Sequence, residues 1–374
     1  MRYFFINTFC TKGSTGRIVC ETARKLIREG NECMIAYGRD TNVSKDIKTY
    51  KIGTKLDIAV HGIMTRLFDR HGFCSKKATR QLLEVIKDYK PDVIWLHNLH
   101  GYYLNIEILF SFIKTMDYKV KWTLHDCWSF TGHCPHFSFV DCNKWMEQCH
   151  DCPQLRRYPS CIGWSKTKGN FLRKKKAFTG IKDMELIVPS YWLEGLVKKS
   201  FLKDYQVTVQ YNTVDNKVFY PIESNIREKY NLTDKIIVLG VAMDWTKYKG
   251  LSEYYYLAEK LSDNYKVVLI GLSKRQLSKV PDSVLGLPKT RNIDDLVKWY
   301  STADVLVSAS REETFGMTIL EAHSCGTPSI VYKNTACEEV AQLCGNGVAV
   351  EWGAENIYKE IVNMNLGKTE VSTL

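Results

Sequence analysis

Residues 308–332, SASREETFGMTILEAHSCGTPSIVY, contain the end of one strand, an acidic loop, a helix and the start of the next strand. Thr314 to Met317 open the helix, and its first backbone amides have no partners within the helix. Gly326 can adopt the left-handed conformation that ends a helix, and Pro328 prevents the helix from continuing. The segment therefore predicts a helix N-terminus, which favours anions, at the carboxyl end of a strand.

Short apolar runs that are typical of buried strands alternate with amphipathic helical patterns along the whole chain. The predicted strands are RYFFIN (2–7), ECMIAY (32–37), PDVIWLH (91–97), KVKWTLH (119–125), ELIVPS (185–190), KIIVLGVAM (235–243), YKVVLIG (265–271), DVLVSAS (304–310) and PSIVY (328–332). Strands that alternate with helices form parallel sheets. We therefore predict an α/β protein with two Rossmann-like domains, residues 1–205 and 206–374, whose parallel sheets face a central cleft.

The composition is that of a globular protein, because 45% of the 374 residues are hydrophobic and 25% are charged. No apolar run approaches the length of about 20 residues that a membrane span needs. The first apolar stretch is too short for a secretion signal, so we expect a cytoplasmic protein.

Residues 1–200 carry 33 Lys and Arg against 19 Asp and Glu, whereas residues 201–374 carry 19 against 22. This asymmetry predicts an anionic partner for the first domain, and a merely soluble basic face is the alternative.

The loop after the first strand argues against a dinucleotide-binding oxidoreductase. Its sequence, TFCTKGSTG (8–16), contains Gly13 and Gly16 but lacks the G-x-G-x-x-G spacing. A small-residue loop that opens a helix can still bind phosphate through free amides. A tight turn that needs glycine for its backbone geometry is an equally simple explanation.

Two glutamates flank the predicted helix N-terminus of residues 308–332. Glu313 lies in the loop before the helix, and Glu321 follows eight residues later, about 9–12 Å along. This separation matches a nucleoside diphosphate sugar, in which one carboxylate binds sugar hydroxyls, the other binds ribose hydroxyls, and the diphosphate lies on the amides between them. An ordinary helix-terminal acid would explain Glu313 but not Glu321.

These residues resemble the Glu-seven-Glu motif of retaining glycosyltransferase family 4, which has the GT-B fold. The resemblance extends to LHDCW (124–128), VPSYWLEGLV (188–197), YNTVDNKVFYP (211–221), the KG at 249–250 and LVKWYSTADVLVSAS (296–310). It implies a metal-independent, retaining enzyme that needs no cofactor and transfers a hexosyl-type sugar from a UDP- or GDP-linked donor. The first domain would bind a lipid-linked or soluble glycan acceptor, and the second would bind the nucleotide sugar.

The resemblance also implies roles for single residues. Glu313 would bind the donor sugar, Glu321 would bind the ribose, and Lys249 with Lys247 would stabilise charge on the leaving diphosphate. His125, at the end of the fourth predicted strand, would face the reacting centre. Further donor contacts would come from Gly16, Phe315, Gly316, Met317 and Thr318, and second candidates on the acceptor side are His97, Asn98, His100 and Asp126. The arginine that usually precedes the lysine-glycine turn is replaced near Met243.

A cysteine-rich insert occupies about residues 127–161. A CxxC pair and two further thiols, at Cys134, Cys142, Cys149 and Cys152, satisfy tetrahedral zinc ligation; free thiols and disulfides are the alternatives. The insert follows His125 and is rich in aromatic residues, so we expect it to shape the acceptor pocket.

The stretch FLRKKKAF (171–178) suggests a peripheral contact with an anionic membrane surface through the basic first domain. In this interpretation Phe171 and Phe178 insert shallowly, while a solvated helix face is the alternative. Nucleic acid is not an expected partner, because no known binding module is present.

Together these patterns predict a glycosyltransferase at the inner face of the cytoplasmic membrane that acts on a polyprenyl diphosphate-linked precursor of a surface polysaccharide. A nucleotide-sugar 2-epimerase of the same fold and a non-catalytic glycan- or nucleic-acid-binding protein are the alternatives. Because the sequence stops at Leu374, we expect a short tail without the helix that in similar proteins crosses back onto the first domain.

Overall fold

A computed structural model describes residues 1–40, 43–364 and 366 of the chain. The chain divides into two units, Met1–Gln210 and Tyr211–Leu374. This division lies five residues beyond the predicted boundary. The predicted short tail falls mainly on residues 365 and 367–374, outside the described residues. Within the described ranges, no helix has both the length and the apolar character needed to cross a membrane.

Unit 1 contains a parallel sheet of seven strands. They are β1 (Arg2–Asn7), β2 (Glu32–Tyr37), β3 (Lys48–Lys51), β4 (Val93–Leu96), β5 (Lys119–Thr123), β6 (Met184–Val188) and β7 (Gln206–Val209). Their order in the sheet is β3-β2-β1-β4-β5-β6-β7. The helices are α1 (Gly13–Arg28), α2 (Lys55–Phe68), α3 (Lys76–Tyr89), α4 (Ile106–Thr115), α5 (Thr167–Phe178) and α6 (Tyr191–Val197). The strand order reverses between β1 and β4, and ligands of such sheets bind at the carboxyl ends of the strands beside this point.

Unit 2 contains a parallel sheet of six strands. They are β8 (Ile236–Val241), β9 (Tyr265–Ile270), β10 (Val284–Leu287), β11 (Val305–Ser308), β12 (Ser329–Tyr332) and β13 (Gly347–Val350). Their order is β10-β9-β8-β11-β12-β13. The helices are α7 (Ile226–Lys229), α8 (Leu251–Lys260), α9 (Lys274–Leu277), α10 (Ile293–Thr302), α11 (Met317–Ser324), α12 (Ala336–Cys344) and α13 (Ala354–Asn363).

The two parallel sheets confirm the predicted α/β fold class, and all nine predicted strands are present. Four additional strands, β3, β7, β10 and β13, form the outer edges of the two sheets. The central strand β4 is buried at all four positions, whereas β13 is only half-buried at all four. The sequence patterns therefore identify the strands that carry a continuous apolar run.

The insert of unit 1 packs an aromatic core of its own against helix α5. Three short 3-10 helices, Trp128–Phe130, Ser138–Val140 and Lys144–Met146, give it its backbone. The Trp145 ring lies 4.8 Å from Phe137 and 5.3 Å from Phe130, centroid to centroid. Large buried rings of this kind supply much of the stability of a segment with little regular structure.

The expected insertion of Phe171 and Phe178 into a membrane is wrong. Both lie on α5, and their side chains are buried in the core of unit 1. Arg173 on the same helix pairs with Glu107, with 2.6 Å between Nη2 and Oε2. Lys174 is also buried, and its Nζ donates a hydrogen bond of 2.7 Å to the carbonyl oxygen of Trp128. The run of basic and aromatic residues is therefore mainly a packing surface.

Burial lowers the pKa of Lys174 to about 7. The unfolded chain, with a lysine pKa of about 10.4, binds more protons than the folded chain between these values, so this group makes stability rise with pH across that window. We expect the stability of the natural chain relative to Lys174→Met to rise by up to about 1.4 kcal/mol per pH unit between about pH 7.5 and 9.5. Urea denaturation of both proteins in reducing buffer, repeated across this pH range, measures the difference between their free energies of unfolding. A pH-independent difference would contradict a neutral buried lysine.

Candidate active site

A lysine-glycine turn follows β8 and lies against the loop after β11. The turn is a 3-10 helix, Lys247–Lys249, that ends at Gly250 with φ +72°. A side chain at residue 250 would overlap the carbonyl oxygen of Ala309. The amide of Arg311 donates a hydrogen bond of 2.9 Å to the carbonyl oxygen of Tyr248. Glycine is therefore required both for the left-handed backbone and for the close approach of the two segments.

This contact brings two of the predicted residues together. The Lys249 ammonium donates a hydrogen bond to Oε1 of Glu313, and the side chains are 22% and 23% exposed. The Ser310 hydroxyl donates to the same oxygen at 3.3 Å. Burial opposes the charge of Lys249, but the Glu313 carboxylate outweighs it and raises the pKa of Lys249. The pair is thus a fixed cation beside a fixed anion.

Helix α11 begins four residues after Glu313. Gly316 precedes it with φ +96°, and among the described residues no side chain caps this start. Phe315 is buried, whereas Met317 and Thr318 are half-buried. The predicted loop-to-helix turn is present, and the helix dipole places a partial positive charge beside the Lys249–Glu313 pair.

Glu321 occupies the second turn of α11 and is 5% exposed. Its Oε2 accepts a hydrogen bond of 3.0 Å from the hydroxyl of Tyr300 on α10. Tyr300 therefore gives Glu321 a partner that its neighbours in the sequence do not reveal. Its predicted contact with ribose stays a prediction.

The other predicted donor residues differ in exposure. Lys247 is exposed, and Met243, at the place of the family's arginine, is 70% exposed. In unit 1, an added Cβ on Gly16 would lie 2.9 Å from the carbonyl carbon of Thr11, which explains the glycine by close packing. The phosphate contact of Gly16 stays a prediction.

A buried carboxylate already binds the loop before α1. Oδ2 of Asp40 accepts hydrogen bonds from the amides of Thr11 at 2.7 Å and Lys12 at 3.1 Å. These two amides of the predicted phosphate loop therefore have an acidic partner within unit 1.

His125 and His97 follow the neighbouring strands β5 and β4. Nε2 of His125 lies 3.0 Å from Nδ1 of His97, and the two rings stack with 5.3 Å between centroids. Burial lowers the pKa of His125 to about 4 and keeps the pKa of His97 well below its usual value. Both rings are therefore neutral at pH 7 and share one hydrogen between these nitrogens.

A second network lies at the same end of the sheet. His100 contacts Oδ2 of Asp126 through Nε2 at 2.7 Å and the hydroxyl of Tyr158 through Nδ1 at 3.0 Å. Burial would raise the pKa of Asp126, but His100 and a hydrogen bond from the Trp128 amide lower it to about 2. The ionised carboxylate thus accepts a hydrogen bond from Nε2 of the imidazole, and Nδ1 contacts the phenol. Tyr158 is not among the predicted residues, because it comes from the insert and its spacing carries no motif.

The four predicted zinc ligands line one cavity in the insert, together with His133 and Lys144. They are Cys134, Cys142, Cys149 and Cys152. All thirteen cysteines lie in the described part of the chain and are free thiols, which is one of the alternatives left by the sequence. A hydrogen bond with Cys134 lowers the pKa of Cys152 to about 7. Within the described residues, no three His, Cys, Asp or Glu side chains are arranged so that they could hold a metal ion, so the zinc prediction gains no support.

Comparison with known proteins identifies the second unit. Residues 222–364 match the family described as "Glycosyl transferases group 1". They form a glycosyltransferase group 1 domain. The Lys249–Glu313 pair, α11 and Glu321 all belong to this domain.

Two relatives match different shares of this chain. A protein of Escherichia coli (strain K12) named as a colanic acid biosynthesis glycosyl transferase, WcaC, is 22% identical over 94% of this chain and 88% of its own length. The N,N'-diacetylbacillosaminyl-diphospho-undecaprenol alpha-1,3-N-acetylgalactosaminyltransferase of Campylobacter jejuni is 29% identical over 36% of this chain and 38% of its own.

Solved structures resemble the whole chain. Sucrose-phosphate synthase from Thermosynechococcus elongatus has a TM-score of 0.69 at 17% identity and covers 97% of this chain and 89% of its own. Anabaena Alr3699/HepE in complex with UDP and glucose has a TM-score of 0.65 at 12% identity, with the same two coverages. At these identities the likenesses show the fold, and they confirm the predicted GT-B class.

We expect Gly250→Ala to disturb the lysine-glycine turn more than a matched change elsewhere in unit 2. Gly345 is the control, because its φ is +82° and an added Cβ meets nothing within 4 Å. Both variants incur the left-handed strain of about 1–2 kcal/mol, but only Gly250→Ala must also displace Ala309. Urea denaturation should therefore show a larger loss for Gly250→Ala. Equal losses would mean that the contact with Ala309 does not hold the turn.

Proposed function

We propose that this chain is a retaining, metal-independent glycosyltransferase that moves a hexosyl-type sugar from a UDP- or GDP-linked donor to a polyprenyl diphosphate-linked precursor of a surface polysaccharide. The observation that carries the proposal is the Lys249–Glu313 pair beside the start of α11 in a glycosyltransferase group 1 domain. In this proposal unit 2 binds the donor and unit 1 binds the acceptor.

Lys249 and the first amides of α11 suit a diphosphate. Transfer breaks the bond between the anomeric carbon and the diphosphate oxygen, so negative charge grows on the leaving group. A cation and oriented amides that are already in place stabilise that charge without reorganisation. The partner carboxylate of Glu313 keeps the lysine protonated, and it can accept hydrogen bonds from hydroxyls of the donor sugar.

Glu321 is the proposed ribose ligand. It lies on the same helix as the amides that would bind the diphosphate, and the Tyr300 hydroxyl fixes the orientation of its carboxylate. A carboxylate held in this way loses little conformational freedom when it binds a pair of hydroxyls.

In this proposal, His125 is the residue of unit 1 that faces the reacting sugar. Its ring is neutral and is oriented by His97, so it can donate or accept a hydrogen bond without carrying a charge. The Asp126–His100–Tyr158 network lies at the same end of the sheet, where Asp126 follows β5 and His100 follows β4. Asn98 is tied to the sheet, because its amide donates a hydrogen bond of 3.1 Å to the side chain of Asn7.

The names of the relatives support the choice of acceptor. One relative is named for colanic acid biosynthesis, and another is named for a diphospho-undecaprenol substrate and an alpha linkage. We propose that this enzyme acts in the cytoplasm, at the inner face of the membrane that carries such lipid-linked precursors.

A thermal-shift panel of UDP, GDP, CDP, ADP and their common sugar conjugates tests donor binding, because a ligand that binds only the folded chain raises its melting temperature. We expect stabilisation by UDP or GDP compounds. Glu321→Gln should weaken nucleotide binding at least about 10-fold, since a hydrogen bond to a charged group contributes about 1.5–3 kcal/mol.

Glu228→Gln is the control, because Glu228 is exposed on α7 in the same unit. It should bind nucleotides like the natural chain. Unchanged affinity in Glu321→Gln would remove the ribose assignment. The absence of a shift with every nucleotide would contradict the proposed function.

A further inference from the structure

Helix α2 has an exposed apolar stripe. Leu56, Val60, Ile63 and Leu67 are 72%, 49%, 56% and 39% exposed. Their spacing of four, three and four residues places them on one side of the helix. Such a stripe normally faces the core of a protein, and here it faces outward.

The loop that follows the insert extends this stripe. The amide of Ile162 donates to the carbonyl oxygen of Arg66 at 2.8 Å, and the amide of Trp164 donates to that of Leu67 at 3.0 Å. The Trp164 ring stacks on Phe68 with 5.6 Å between centroids and 7° between planes. Ile162 and Trp164 nevertheless remain 68% and 70% exposed. The six side chains Leu56, Val60, Ile63, Leu67, Ile162 and Trp164 therefore form one fixed surface, the α2 face.

The α2 face has a basic rim. The exposed residues Lys55, Arg66, Arg70, Lys166 and Lys168 lie within or beside the two segments that form it. Within residues 55–70 and 162–170, all of which are described, the acidic residues are Asp57 and Asp69. Asp57 accepts a hydrogen bond of 2.8 Å from the Thr54 amide at the start of α2, and Asp69 is fully buried. Asp57 is partly exposed, so these two segments carry one accessible carboxylate against five exposed cations.

We propose that the α2 face binds an anionic lipid bilayer. Apolar side chains on one side of a helix, a tryptophan at their margin and a surrounding set of Lys and Arg are the features by which a helix lies in a membrane interface. The proposal rests on the proposed function in one respect, which is that the acceptor is linked to a lipid.

A second copy of this chain fits the α2 face less well. A symmetric dimer through this face would bring the two basic rims together, with Asp57 of each copy against five cations. Like charges placed opposite each other in this way oppose association. An anionic lipid surface neutralises the same rim.

Helix α2 lies between the α2 face and the side chains of the proposed acceptor side. On the buried side of the helix, the His61 ring lies 6.0 Å from Tyr102 and 6.4 Å from His71. The His71 ring in turn lies 5.8 Å from His100 and 5.6 Å from Tyr158. Helix α2, about 10 Å thick, and the His71 ring thus lie between the α2 face and the cluster that includes His100 and Tyr158. A bilayer on that face holds a lipid-linked sugar close to this cluster.

Co-sedimentation of the full chain with vesicles tests the proposal. The probes are vesicles of phosphatidylcholine alone and vesicles with 30% phosphatidylglycerol. We expect the natural chain to sediment mainly with the anionic vesicles. The double variant Leu56→Ser/Ile63→Ser should bind at least about five-fold more weakly, because two apolar side chains are removed from the interface.

Leu343→Ser/Val362→Ser is the matched control, since both residues are exposed apolar side chains of unit 2. It should sediment like the natural chain. Lys166→Glu/Lys168→Glu keeps every apolar side chain and should also weaken binding to the anionic vesicles by about five-fold, which provides a second test if the serine variant does not fold. Thermal melting of each variant reports whether it is folded.

Three results would overturn the proposal: failure of the natural chain to bind anionic vesicles, equal binding by the natural chain and both α2-face variants, or a dimer without lipid that Leu56→Ser/Ile63→Ser dissolves. Vesicle binding needs neither donor nor turnover. A failure of the proposed function would instead appear as the absence of any nucleotide-induced thermal shift, which is recorded separately on the same proteins.

Discussion

The donor half of the candidate site depends on the close approach of Gly250 to Ala309. Because no side chain fits at residue 250, the lysine-glycine turn can lie directly against the loop after β11. The hydrogen bond from the Arg311 amide to the Tyr248 carbonyl oxygen fixes this arrangement. It places Lys249 next to Glu313, 64 residues later in the chain, at the start of α11. The proposed binding of a diphosphate and a sugar follows from that pairing.

On the proposed acceptor side in unit 1, contacts of imidazole rings hold the polar side chains in place. In the proposed donor site, an ion pair with lysine does this. His97 orients His125, and Asp126 orients His100, which in turn contacts Tyr158. Each contact joins residues that follow different strands or come from the insert, so the sheet edge supplies the geometry. A ligand would meet side chains whose rotamers are already fixed, which lowers the entropic cost of binding.

The sequence predicts the central strands of both sheets but not their edges. Central strands such as β4 are buried on both faces and read as continuous apolar runs. The edge strand β3 has the sequence KTYK, and no position in it is buried, so its pattern resembles that of a loop. Pairing with a neighbour, rather than its own composition, makes it a strand.

For the site, the sequence predicts candidate residues but not the side chains that they contact. Lys249 and Glu313 are both expected in the donor site, but their ion pair is a long-range contact that no local spacing shows. The partner of Glu321, Tyr300, is missed for the same reason. In α5, a basic run between two phenylalanines suggests a membrane contact, yet Phe171 and Phe178 are in the core.

Helix α2 reverses the usual relation between polarity and burial. Its polar residues His61 and Thr65 are fully buried, whereas Leu56 and Ile63 are exposed. The buried His61 ring has hydrogen-bond partners that offset the cost of its burial. Its Nε2 accepts a hydrogen bond of 3.1 Å from the Gly72 amide, and its Nδ1 lies 2.8 Å from the Ser75 hydroxyl. A helical pattern alone gives the period of the apolar stripe but not the side that faces water.

The most direct test of the donor site is calorimetric titration of the natural chain, Lys249→Met and Glu313→Gln with UDP and UDP-glucose, and with GDP and GDP-mannose. We expect Lys249→Met to weaken binding of both the nucleotide and its sugar conjugate, because the proposal assigns the lysine to the diphosphate. Glu313→Gln should weaken binding of the sugar conjugate more than binding of the bare nucleotide, because the proposal assigns the carboxylate to the sugar. Equal losses for both ligands in Glu313→Gln, or no binding of any of the four to the natural chain, would contradict it.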